Sequence, residues 1–236
     1  MNRLATIMVL VLLAIVSAGD TEAVQIPVCP DEPNLDGGFV YDFHIFNSPI
    51  YAIDPSLNFT VTVTDEGWDS SGKEEVGFKF ENLSTAYSSV THLFFDDGSL
   101  LDLEAFELSG QGVSFSQDKK GKNLPGGNTI TPSFDKKADF SAGADPSVSH
   151  NGIHPGEWLK VVFSLQDGRT FEDVIYEIDN GGNTSVDNLR IGIHIQGLGA
   201  NDDSVSAINC KNPTCIPEPA TVAILTVGFF IVKRRR

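Results

Sequence analysis

Cysteine is scarce in this 236-residue chain: Cys29, Cys210 and Cys215 are the three it has. They form no CxxC pair and no histidine stands beside them, so neither a zinc site nor a thiol nucleophile has a basis here. Cations are also few, with 16 Lys plus Arg against 32 Asp plus Glu and a net charge of −16. Five of those cations are Arg3, Lys233, Arg234, Arg235 and Arg236, so the stretch between them is more acidic still. A surface of that sign repels phosphate backbones, which argues against nucleic acid as a partner. The GxSxG, P-loop, HExxH and dinucleotide-binding fingerprints are missing. There is no internal repeat, and no composition break that would mark a second domain.

What is present begins with two apolar ends. Residues 1–18 read as a secretory signal peptide. Arg3 supplies the positive start, residues 4–16 carry no charge, and Val16-Ser17-Ala18 offers small residues for cleavage, with a second choice after Ala23. At the other end, residues 215–236 hold Pro217, Glu218 and Pro219, an uncharged apolar run over 220–232, and a basic close of Lys233, Arg234, Arg235 and Arg236. Thirteen apolar residues are short of the roughly 20 that span a bilayer as a helix. Such a helix would thin the bilayer or lengthen itself with its flanks, and the four cations would hold its end on the cytoplasmic side. The prolines keep the preceding segment extended and open to a processing enzyme.

This order of Pro-Glu-Pro, apolar run and Arg-rich terminus resembles the PEP-CTERM sorting signal of bacterial surface proteins. The resemblance implies export, recognition by an exosortase-type membrane enzyme, and delivery to the cell surface or an extracellular polysaccharide matrix. It covers about the last twenty residues. A second stretch, Leu189-Arg190-Ile191-Gly192-Ile193-His194-Ile195-Gln196-Gly197, resembles a strand near the end of many proteins of that class. There too a short apolar helix precedes it and an Asp/Ser-rich turn follows, matched here by Asp202, Asp203 and Ser204.

The body over 27–210 reads as one β domain. Leu57, Phe59, Val61 and Val63 alternate with Asn58, Thr60, Thr62 and Thr64, the period of a half-buried strand. Phe39, Tyr41, Phe43 and Ile45 alternate likewise, as do Val76, Phe78 and Phe80, and Leu189, Ile191, Ile193 and Ile195. Further strands are expected over 90–95, 100–108, 113–117 and 159–165, separated by turns such as Asp97-Gly98 and Asp167-Gly168. The expected fold is mainly β, an antiparallel β-sandwich of jelly-roll kind, flanked by the signal helix and the C-terminal hydrophobic helix. One segment keeps a helical period instead: Phe171, Val174, Ile175 and Ile178, opened by Thr170 and Asp173 as a capping box and stopped at Gly181-Gly182. A strand is the alternative there, because Val174-Ile175-Tyr176 is β-prone. Residues 118–155 are polar, with scattered Ile130, Phe134 and Phe140, and read as long loops with a strand near Phe134 or Phe140. Export would permit disulfides. Cys29 with Cys210 would tie the ends of the domain, and Cys210 with Cys215 would close a small loop; either leaves one thiol over.

Chemistry-bearing residues are thin on the ground. His150, His154 and Glu157 have metal-ligand types, but they lie in turn sequence and read as solvated loop residues. His194, between Ile193 and Ile195, reads as an outer-face residue. Oxygen-rich turns at Asp179, at Asp202-Asp203 and at Asp96-Asp97 are the candidates for a structural calcium ion, although turn chemistry alone also explains Asp and Gly there. Among 32 acids, carboxylate pairs for glycoside hydrolysis arise by chance and single out no pair. Trp68 lies in an expected loop and is the candidate for stacking on a sugar, whereas Trp158 opens an apolar run and reads as core. The reading is a non-enzymatic, structural or adhesive surface protein. The alternatives are a carbohydrate-binding module, with or without calcium, and a glycan hydrolase with two facing carboxylates.

Overall fold

The alternating stretches form ten antiparallel strands in the computed structural model, which describes residues 37–134, 138–181 and 188–209. They are β1 (Phe39–Ile45), β2 (Phe59–Trp68), β3 (Glu74–Asn82), β4 (Ser89–Asp96), β5 (Leu101–Gln111), β6 (Phe115–Gln117), β7 (Phe140–Ala144), β8 (Trp158–Leu165), β9 (Arg190–Leu198) and β10 (Asp203–Asn209). Two helices join them, a four-residue turn α1 (Val148–Asn151) and α2 (Phe171–Asp179). The lateral order is β5-β8-β3-β2-β1-β10-β9-β4-β7-β6.

That row folds back on itself at β1. The first half of β1 pairs β2, with Phe39 opposite Val63 and Asp42 opposite Thr60; its second half pairs β10, with Phe43 opposite Asn209. One strand therefore belongs to both layers of a sandwich that nearly closes into a barrel. On the far side the layers meet through side chains, where Phe106 of β5 lies 5.0 Å from Phe140 of β7, edge to face. The expected antiparallel β-sandwich with one short capped helix is what forms.

The inner faces follow the period-two pattern. Phe59, Val61 and Val63 of β2, Val76, Phe78 and Phe80 of β3, Leu159, Val161 and Phe163 of β8, and Ile191, Ile193 and Ile195 of β9 are all buried. On β4 the register shifts between Val90 and His92. This bulge lets Val90, Leu93 and Phe95 all face inward while Phe94 faces out.

Phe94 on the outer face needs a cover, and the polar stretch supplies one. Leu124, Ile130, Phe134 and Ala138 pack over Phe94, Phe46 and Ile208 as a second, smaller core. Residues 118–134, with Ala138, are thus a packed cover and not only a long loop, and of the two places expected for a strand it is Phe140 that starts one. Gly192 allows the close approach, since a Cβ there would meet Leu124 Cδ2 at 2.8 Å. Arg190 fastens the cover. Its guanidinium pairs with buried Asp96, donates from Nη1 to Pro132 O at 2.9 Å and from Nη2 to Ser133 O at 2.8 Å, and lies 5.3 Å from the Phe134 ring centre.

Antiparallel topology sorts the connections to two ends. The β2–β3, β4–β5, β6–β7 and β8–β9 connections share one end with Gly37 and Asn209, and the other five connections share the opposite end. Among the described residues no helix is long and apolar enough to cross a membrane. The signal-peptide reading over 1–18, the tail over 215–236 and the three cysteines lie outside the described residues.

Removing Arg190 would take away the guanidinium that pairs with buried Asp96 and holds the Pro132 and Ser133 carbonyls. Arg190→Leu is expected to lower stability by about 3–5 kcal/mol, read from urea unfolding, with faster amide exchange over 124–134. A loss below about 1 kcal/mol, as for an exposed pair, would show that Arg190 does not fasten the cover.

Candidate functional site

At the end that carries Gly37 and Asn209, β2 and β3 meet in a tight hairpin organised by Asp69. Asp69 Oδ1 accepts the Ser71 N–H at 2.8 Å, the Lys73 N–H at 2.9 Å and the Ser71 hydroxyl at 2.7 Å, while Oδ2 accepts the Ser164 hydroxyl at 3.0 Å. The Lys73 amide, then the Ser71 hydroxyl, hold this carboxyl well below its usual range. Gly67 and Gly72, at φ +88° and +86°, take the left-handed turns that the hairpin needs. Trp68 is the last residue of β2, opposite Glu74, and its side chain stands 69% exposed at the tip. Trp68 is therefore not in the loop expected from sequence: the ladder to Glu74 continues past the Asp65–Gly67 bulge and makes it a strand residue.

The facing wall is the segment between β8 and α2. Gln166 is fixed by its own N–H to Leu100 O at 2.9 Å and by its side-chain amide to Leu101 O at 3.0 Å. Thr170 and Asp173 close the expected capping box on α2, and the Phe171 N–H donates to Glu74 Oε2 at 2.8 Å, tying the helix start to β3. Between the walls is an open groove of about 400 Å³ lined by Trp68, Lys73, Glu74, Gln166, Asp167 and Arg169 among others. Lys73 pairs with Asp102 at 2.9 Å and reaches Asp167 at 3.6 Å; the hydrogen bond to Asp102 raises its pKa. The groove therefore presents one exposed indole beside fixed donors and acceptors of both signs.

Arg169 links the groove to buried carboxyls. Its Nη2 donates to Ser99 Oγ at 3.2 Å and its Nη1 lies 3.8 Å from Glu177 Oε1. Burial pushes Glu177 up to about 7, against the pull of Arg169 and with Asp97 and Asp173 adding to the rise. Asp97 caps the β4–β5 turn through the Leu101 N–H at 2.8 Å, and burial raises it to about 6 despite the amides it accepts. Both groups are nearly sealed from solvent, so neither is placed to protonate a ligand in the groove.

The calcium candidates do not come together. Asp179 ends α2 at the groove end, while Asp202 and Asp203 sit at the opposite end, where Asp203 Oδ2 accepts the Tyr51 hydroxyl at 2.9 Å. Among the described residues no group of three or more His, Cys, Asp and Glu is placed to hold a metal ion. His150 lies in α1, a helical turn where plain turn sequence was expected, and the His154 N–H is taken by Glu157 Oε2 at 2.9 Å. His194 is half-buried on the outer face, as read from its neighbours. Trp158 is not core: it points outward from β8 with the Lys79 ammonium 5.6 Å from its ring centre. Gln166, Arg169 and Glu177 were missed by sequence reasoning. The capping box at Thr170 was the signal that placed α2 and, with it, the groove wall. Comparison with known protein families, with curated proteins and with solved structures finds no match for this chain.

Raised carboxyl pKa values favour the folded state at low pH, and that contribution is lost as pH rises through about 7. His44, His92 and His194, lowered by burial, act in the opposite sense below 6.5. The Glu177 share is isolated by difference. The melting temperature of the wild type minus that of Glu177→Gln is expected to fall as pH is raised from about 4 to about 8. A flat difference would mean that Glu177 does not titrate in that window.

Proposed function

We propose that the chain is an exported surface protein whose β-sandwich adheres to polysaccharide at the Trp68 groove. Two readings combine here: the PEP-CTERM-like tail gives the address, and the groove gives the contact. The observation that carries the second is the exposed indole of Trp68. A large aromatic side chain held 69% exposed by a hairpin with its own internal bonding, at the edge of a groove, is placed to stack on a ligand. A sugar ring offers an apolar face for the indole and hydroxyls for Lys73, Glu74, Gln166, Asp167 and Arg169 along the same groove. Those side chains can donate and accept, which suits hydroxyls better than it suits a purely anionic or cationic group. In this reading the role is adhesive and non-enzymatic; Asp97 and Glu177, two of the carboxyls raised by burial, lie buried behind the groove.

Retention on immobilised surface polysaccharide from the native host tests the reading. Trp68→Ala is expected to weaken it by about 2 kcal/mol, roughly thirtyfold, with no change in melting temperature. Equal retention of wild type and variant, or no retention of either on that material and on a broad glycan array, would contradict it.

A further inference from the structure

The end opposite the groove has a composition of its own. Its five connections are residues 46–58, 83–88, 112–114, 145–157 and 199–202, and all of them are described. None contains a Lys or Arg, while Asp54, Asp145, Glu157 and Asp202 lie in them and Asp203 borders them. Five of the seven large apolar side chains exposed among the described residues are also here: Ile50 at 77%, Ile53 at 83%, Leu83, Tyr87 and Val148.

These connections abut. The Thr85 N–H donates to Ser56 O at 2.8 Å and the Leu83 N–H to Asn58 O at 2.9 Å, which locks the β3–β4 connection onto the β1–β2 connection. The Tyr87 ring lies over Gly197, where a Cβ would meet it at 2.8 Å, and 5.6 Å from the His154 ring. The Tyr51 hydroxyl bridges to Asp203 on the far side of the same surface. The geometry is a bonded platform with aliphatic and aromatic tips standing out of it.

We propose that this tip is a docking surface for a basic, apolar polypeptide segment of another protein. The occupant follows from charge complementarity. Exposed apolar side chains that share these five connections with carboxylates, and with no Lys or Arg in any of them, favour a partner that brings both apolar residues and Lys or Arg. An anionic lipid surface is repelled by the same carboxylates. The tip stands opposite the end where Gly37 and Asn209 lie, so occupation of it leaves the Trp68 groove open.

The test uses the full chain and a synthetic amphipathic peptide of Lys and Leu, with a Glu/Leu peptide of the same pattern as its control. Saturable binding of the Lys/Leu peptide is expected, weakened tenfold or more by Ile50→Ser with Ile53→Ser and separately by Tyr87→Ser, and unchanged by Trp68→Ala. Ile50 and Ile53 are exposed, so the double variant keeps its fold, checked by an unchanged melting temperature. Equal binding to wild type and tip variants would overturn the proposal. So would equal binding of the Glu/Leu peptide, tip-dependent binding to phosphatidylcholine vesicles in place of the peptide, or self-association in sedimentation that the double variant abolishes.

Discussion

Both layers of the sandwich converge on Phe95. Its fully buried ring meets Phe78 at 5.2 Å, Phe163 at 5.2 Å, Phe140 at 5.8 Å and Phe80 at 6.0 Å, each steeply inclined to it. These rings come from β3, β8, β7 and β4, so one edge-to-face cluster joins strands of both layers. Alternation along β4 points Phe95 into the cluster and its neighbour Phe94 out, and the bulge turns Val90 inward as well. From that outward Phe94 follow the need for a cover, the path of residues 118–134, and the buried Arg190–Asp96 pair that fastens it. With β1 shared between the layers at one side, the core fixes how the two ends of the sandwich are composed.

The ends differ because strand order decides which connections meet. Residues 65–74 and 166–170 are about a hundred positions apart, yet β3 and β8 are neighbours, so the hairpin tip and the segment before α2 become the two walls of a groove. Asp69 and the Thr170 capping box make those walls rigid, and rigidity lowers the ordering cost when a ligand arrives. At the far end the connections are bonded to one another and hold no Lys or Arg. The cations of the described residues lie on the strands or at the groove end instead, as with Lys73, Lys160 and Arg169.

Much of this was legible from residue order. Strict alternation placed β1, β2, β3 and β9 and named their inner faces, because each has one apolar side and a period of two leaves little choice. The helix was legible because the capping box and the i, i+3, i+4, i+7 spacing agree, and they outweighed the β-prone Val174-Ile175-Tyr176. What escaped was long-range. Leu124, Ile130 and Phe134 are too scattered to show a period, and only the outward-facing Phe94 of another strand, which they bury, explains them. Trp158 opens an apolar run, yet parity within β8 turns it outward toward Lys79. Trp68 is a candidate for stacking on a sugar from sequence alone. Its groove is not legible there, because the facing wall comes from a segment that only sheet pairing brings near.

The reading as a displayed surface protein rests on the two apolar ends of the chain, and the intact mass of the protein taken from its native host's surface tests it most directly. The account predicts a mass that lacks residues 1–18 and the residues beyond the Pro217-Glu218-Pro219 site, with any added mass belonging to what is attached there. A mass that retains Arg236 would contradict processing as a sorting signal, and would leave the short apolar run over 220–232 as a standing anchor or as something other than an address.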